Sequence, residues 1–355
     1  MTSRSAGLAG VALWLTVGIC CLLPLGWMVA QMVQEPRMLA AVRWSSFQWS
    51  LLGRTLAYNA AVGALATLMG WPAAVVIGRG RGVLAVGLSL LLPLVLLMPS
   101  IIYTYGWMQV MRLLGLALAP AGGADVLRCV WVLASWLWAL PAITMGLSLR
   151  MTDSQVQQQA LLDGALWRIT LRQLAGPMLA SFAMVTVLAM QEFVVYEPSG
   201  ISVIATEIRT VFETGSVGLS SAAITAVEAE AARGPLQQGD RAAAAVATAI
   251  PALALVVGLS LLALWGMKRS AEHQSLGVQG WPKALNAGWI ALGATGGLLV
   301  LTLGVPAGAM VVSLKRAIEP IHTWEVLGPQ ATGSLVIASI TGMMALGIGL
   351  AGCLW

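Results

Sequence analysis

An all-α bundle of membrane-crossing helices is the fold class this sequence predicts, and three observations predict it. Of 355 residues, 59% are hydrophobic and only 9% are charged, whereas a soluble globular domain carries about 25% charged residues. Charge this sparse cannot clothe a water-facing surface, so the solvent of the chain is largely lipid. The apolar residues gather into runs near the roughly 20 residues a helix needs to cross hydrocarbon. Prolines and 39 glycines punctuate those runs, which lipid tolerates where neighbouring helices satisfy the freed backbone groups and approach closely.

Taken in order, spans are expected over 8–32, 56–77, 83–107, 127–149, 178–196, 242–266, 285–312 and 333–355, about eight in all. The first begins too late and runs too long for a cleaved signal peptide. Pro24, Pro72, Pro93, Pro99, Pro141, Pro251 and Pro306 fall inside spans and mark expected kinks. Trp27, Trp44, Trp49, Trp265 and Trp355 suit interfacial belts. With the N-terminus inside, Arg4, Arg79, Arg81, Arg150, Arg168, Arg172, Lys268, Arg269 and Lys283 become cytoplasmic. The other side carries a similar number of basic residues over longer loops, so density in short loops, as at Arg79/Arg81 and Lys268/Arg269, favours this orientation.

Several functions are excluded on composition and spacing. The net charge of +5 belongs to a membrane face rather than to nucleic acid, because no basic, aromatic-interleaved stretch lies outside the apolar segments. Cys20, Cys21, Cys129 and Cys353 sit in or beside apolar runs and read as small lipid-buried side chains. His273 and His322 stand alone, so no metal site is expected, and no cluster of His, Asp or Cys suggests a catalytic centre.

The tail repeats the head. Thr55-Leu56, Gly63, Ala66 and Gly70 recur at one offset as Ser334-Leu335, Gly342, Ala345 and Gly349, and Pro24 has a counterpart in Pro306. A duplication is therefore expected. Residues 1–270 would form a six-helix first copy, 271–284 a cytoplasmic linker, and 285–355 the first two helices of an incomplete second copy.

Between the fourth and fifth spans, 150–177 forms the longest polar stretch on the inferred cytoplasmic side. Ser154 and Gln157 fit a capping box, so a short helix is expected to start there. Val156, Ala160, Leu161 and Ala165 recur at helical spacing as its apolar face, with glutamines opposite. Gly164 supplies a turn, and Pro177 is expected to open the fifth span.

This stretch resembles the cytoplasmic loop of the permeases of binding-protein-dependent ABC importers, which reads Glu-Ala-Ala, three residues, Gly, then Leu-Pro. Gln158, Gln159 and Ala160 occupy the Glu-Ala-Ala positions, Asp163-Gly164 the frequent Asp-Gly, and Pro177 the proline. The sequence departs at Gln158 and Gln159. Gln191-Glu-Phe and Thr206-Glu-Ile-Arg209 are similar to the ferric-iron-type subgroup, whose members often fuse two six-helix halves. The resemblance implies a coupling helix over 154–166 that docks on a separate ATPase. It further implies an external substrate-binding protein, possible pairing with a second permease chain, and residence in a bacterial inner membrane. ATP and Mg would be held by the partner, since this chain has no phosphate-binding Gly-x-x-x-x-Gly-Lys loop. Ferric iron is the implied substrate, with thiamine, polyamines and oxyanions as relatives.

Four residues are candidates for a translocation path. Glu192, near the end of the fifth span, either lines a cation route or is a hydrated interfacial carboxylate. Asn59, Tyr103 and Tyr105 either face a path or bond helix to helix, the commoner case. The acidic segment Glu197 to Asp240 either receives the binding protein or is a solvated loop. The competing class is a stand-alone secondary transporter, against which the scarcity of charge inside the spans argues.

Overall fold

The computed structural model describes residues 46–80, 83–115, 122–152, 154–214, 238–271 and 288–314, with scattered helical positions within 18–34 and 332–343. The chain divides into two compact units, one of Val42–Val312 and one of Met1–Ala41 with Ser313–Trp355. Most of the expected first and last spans lie outside the described residues, as do Pro24, Ser334, Leu335, Ala345 and Gly349 of the head-to-tail repeat. All that follows concerns the Val42–Val312 unit, where every described element is helical.

Four helices are long and apolar enough to cross a membrane, and the number rises to six when each of two bent pairs is one span. The first, α1, runs Ser46–Arg79 over 34 residues. It begins well before the expected 56 because Gln48 and Thr55, which depress the hydropathy, are buried with Leu51 and Leu52. The expected third span is two helices, α2 (Val83–Leu97) and α3 (Ser100–Leu113), bent by 84°. Pro99 explains the break, because its ring bars Met98 from helical geometry. The expected fourth span is likewise α4 (Gly123–Leu137) and α5 (Ala139–Arg150), bent by 44°. Here Pro141 removes the bond that the Leu137 carbonyl would accept.

A nine-residue helix, α6 (Ser154–Leu162), leads into α7 (Leu166–Met190). Pro177 does not open that span; it lies buried inside α7. The helix starts earlier because its first turns are amphipathic: Thr170, Leu174 and Pro177 are buried at helical spacing while Arg168 and Arg172 stay exposed. The polar face lowered the hydropathy and hid the start. α7 stops at Met190, and 191–203 is a turn with a single 3-10 turn, Glu197–Ser199. Then come α8 (Ile204–Thr214), α9 (Gln238–Ala271), α10 (Trp289–Leu299) and α11 (Val305–Leu314). A π turn over Val300–Gly304 joins the last two, just ahead of Pro306, whose missing N–H breaks the regular ladder.

α1 is the central element, packed most extensively on α5 and then on α7 and α4, while α9 lies along α7. The core these helices share includes Val62, Ala66, Ala73, Leu133, Trp138, Ala142 and Val185. Leu68, Val83, Leu90, Leu261 and Ile290 point outward and are exposed, the arrangement that lipid, not water, makes favourable. Trp49 and Trp265, expected in interfacial belts, are exposed towards the helix ends.

Candidate functional site

Polar side chains concentrate at the two ends of this unit. At one end the C-terminus of α1 meets α6 and α7. Arg79 Nη2 donates to Gln157 Oε1 at 3.3 Å and to Thr170 Oγ1 at 3.2 Å. Gln157 Nε2 donates to Gln173 Oε1 at 2.7 Å, and Thr170 Oγ1 lies 3.4 Å from Gln157 Oε1. Arg150 Nε caps α1 by donating to the Ile77 carbonyl at 2.7 Å, satisfying an acceptor that a helix end leaves open. Gln157 is wholly buried, so its amide accounts for its desolvation through these bonds.

The face of α6 turned into the protein is therefore not the expected one. Gln157 and Ala160, three residues apart, go inward, while Val156 and Leu161 are 39% and 41% exposed. An amide with three partners is a better tenant of this joint than an isopropyl group, because it bonds the half-buried Arg79 and the buried Thr170 at once. Gln157 thus turns to the bundle rather than back to Ser154 as a capping box requires. Gln158, Gln159, Leu162 and Asp163 form the outward face.

Gly164 ends α6 as expected, and the reason is conformational. Its φ is +66°, the Ala165 N–H reaches the Ala160 carbonyl at 2.8 Å, and the Gly164 N–H reaches Leu161 at 3.2 Å. These two bonds are a Schellman stop, which needs a residue without a Cβ. Gly200 repeats the device after the 3-10 turn, at φ +66°.

At the opposite end, 192–204 folds over the helix termini. Tyr196 Oη donates to Asn59 Oδ1 at 2.9 Å, with both residues buried, and the Ile204 N–H donates to Thr55 Oγ1 at 3.0 Å. Asn59 thus ties α1 to the turn over 191–203. Asp125 and Arg128 pair at 2.8 Å, and Arg128 also donates to Ser199 Oγ at 2.6 Å. Cys129 packs beside them, its Sγ 3.3 Å from the Ser199 hydroxyl. Glu192, half-buried two residues beyond α7, accepts from Ser100 Oγ at 3.0 Å at the start of α3. Burial pushes its carboxyl above the ordinary carboxylate range, and the Ser100 bond opposes that shift.

Among the described residues, no hydrogen bond joins the four path candidates to one another. Asn59 is committed to Tyr196, Tyr103 is buried with no partner for its hydroxyl, Tyr105 is half exposed, and Glu192 holds Ser100. In the acidic segment, Glu197 and Glu213 both grip Arg209, at 2.6 and 2.8 Å, while Glu228 and Glu230 lie outside the described residues. Among the described residues no three of His, Cys, Asp and Glu stand together as metal ligands would.

Sequence reading missed the Arg79–Gln157–Thr170–Gln173 joint, the Tyr196 lock and the Asp125–Arg128 pair. The last had a signal, opposite charges three residues apart at a helix start. The others join residues far apart in the chain, and no local pattern announces them. Comparison with protein-family models, curated proteins and solved structures gives no match.

Proposed function

We propose that this chain is the permease subunit of a binding-protein-dependent ABC importer in a bacterial inner membrane. In this reading it forms the translocation path, and a partner ATPase supplies the energy. One observation carries the proposal: α6 is a short, firmly seated helix between α5 and α7, with an outward face free to dock. A lever that transmits a push must be rigid, joined directly to spanning helices and open on its far side. α6 is held inward by Gln157 and Ala160, stopped sharply at Gly164, and offers Gln158, Gln159, Leu162 and Asp163 outward. ATP and Mg belong to the partner. The substrate-binding protein would meet the opposite end, and ferric iron is the substrate that the motif resemblance favours. On the same reading, 285–355 begins a second permease copy, and a second permease chain completes the path.

The test is co-purification with candidate ABC ATPases from the same organism, with uptake measured in proteoliposomes. Leu162 is 86% exposed, so Leu162→Arg leaves the fold intact and is expected to reduce the complex at least tenfold. Gly164→Pro is expected to abolish it, because proline holds φ near −65° and lacks the N–H that Leu161 requires. A wild-type chain that captures no ATPase, or variants with undiminished complex and uptake, would overturn the proposal.

A second reading, a secondary transporter, is favoured by the 84° break between α2 and α3 with Glu192 bonded at its edge. Broken helices and intramembrane carboxylates mark ion-coupled sites. Uptake by the chain alone under an ion gradient, abolished in Glu192→Gln, is the result that would select it. The importer reading expects no such uptake.

A further inference from the structure

We propose that Arg79 and Gln157 are positioning residues that fasten α6 to α1, so that movement of α6 reaches the opposite end of the protein through α1. This inference rests on the coupling-helix reading of α6. A helix set between α5 and α7 would be expected to move only those two neighbours, to which the chain ties it. The structure adds a third attachment. Arg79 sits at the last turn of α1, and its guanidinium donates to both Gln157 of α6 and Thr170 of α7. Gln157 in turn holds Gln173, so a single buried amide ties three helices together.

α1 is suited to carry motion from that joint. From Arg79 to Asn59 it covers about 30 Å at 1.5 Å per residue. Its one proline, Pro72, lies between close contacts with α5: Gly70 abuts Ala142 and Pro141, and Gly146 abuts Ile77. A helix braced on both sides of its proline resists bending there. The helix is clamped again at Thr55 and Asn59, within its first half. Asn59 receives Tyr196 at 2.9 Å and Thr55 receives the Ile204 N–H at 3.0 Å, so segment 196–204 is fixed to α1 and not merely packed near it. One rod with polar clamps at Arg79 and at Thr55 and Asn59 makes a continuous physical route from α6 to 196–204.

Gln157 is the point at which to break the route. Gln157→Leu keeps the volume but removes the acceptor for Arg79 and Thr170. Gln157→Glu keeps an acceptor and adds charge attraction to Arg79, and Gln173 can turn its amide to donate in place of the lost Gln157 N–H, so it should restore the joint. Thr170→Val, nearly isosteric, weakens the joint in part and serves if Gln157→Leu does not fold.

The experiment is hydrogen exchange on the full chain in phospholipid nanodiscs, followed in three regions: α6, segment 196–206, and residues 251–264 of α9 as control. Gln157→Leu is expected to speed exchange at least threefold in both α6 and 196–206, with the control unchanged. Thr170→Val should give a smaller effect of the same pattern, and Gln157→Glu the wild-type rates. Faster exchange in α6 alone would overturn transmission through α1. Unchanged α6 would overturn the joint, and faster exchange in all three regions would reduce it to general stability. With the ATPase present, Gln157→Leu is expected to bind it normally, since the outward face is intact, while uptake per ATP hydrolysed falls about tenfold. Loss of binding in that variant would overturn the positioning role. If the wild-type chain binds no ATPase, the importer reading fails, and the exchange results still decide whether α1 links the two ends.

Discussion

Gly70→Val is expected to destabilise the protein by about 3 kcal/mol or more, the upper part of the range for overpacking a tight core. A Cβ at Gly70 would lie 2.8 Å from the Ala142 nitrogen, 2.9 Å from Pro141 Cβ and 3.0 Å from the Trp138 carbonyl. Two of these neighbours are backbone atoms, one in α5 and one at Trp138 just before it, which cannot swing aside as a side chain can. The clash therefore separates the two helices, and their shared core opens. Gly146→Val attacks the same interface from the other side, its Cβ falling 2.8 Å from Ile77 Cβ, and should cost a similar amount. Gly53, also in α1, has nothing within 4 Å of a built Cβ. Gly53→Ala should be neutral or stabilising by about 0.5–1 kcal/mol, because glycine is the costlier residue in a helix. Thermal and denaturant unfolding of the protein in detergent measures all three. Equal stability of Gly70→Val and Gly53→Ala would show that α1 and α5 do not meet as described.

Asp125→Ala is expected to cost about 3–5 kcal/mol, the penalty for leaving one member of a buried ion pair without its partner. The Asp125 side chain is 3% exposed and that of Arg128 11%, with 2.8 Å between them. Losing the carboxylate strands a guanidinium whose remaining described partner is the Ser199 hydroxyl. Ser199 belongs to the turn over the helix ends, so the loss should also loosen 195–201. Replacing both residues with apolar ones, Asp125→Leu with Arg128→Met, removes the stranded charge and should recover most of the loss. A double-mutant cycle by unfolding in detergent reads the difference. A single substitution that costs under about 1 kcal/mol would mean that water reaches the pair and screens it.

How much of this was legible before the structure differs from element to element. The helical membrane class followed from composition. The stop at Gly164 was legible because one residue without a Cβ fulfils a local requirement. The prolines at 99 and 141 were legible as kinks, since a missing N–H acts on its own turn, but not the angles of 84° and 44°. Pro177 misled, because a proline within a helix and one at its start look alike until the flanking residues are placed. The start of α7 was hidden by Arg168 and Arg172, exposed on a face that a hydropathy average does not separate from the buried one.

The sequence by itself determined the solvent of this protein, its helical class and its sharpest turns. Those properties depend on composition or on a few neighbouring residues. The tertiary structure alone decided which face of α6 turns inward and which polar groups meet. Gln157 goes inward because Arg79, 78 positions away, and Gln173, 16 positions away, meet its amide there. Burial of a polar group is favourable only when it finds partners, and those partners come from other helices that only the tertiary fold brings to it.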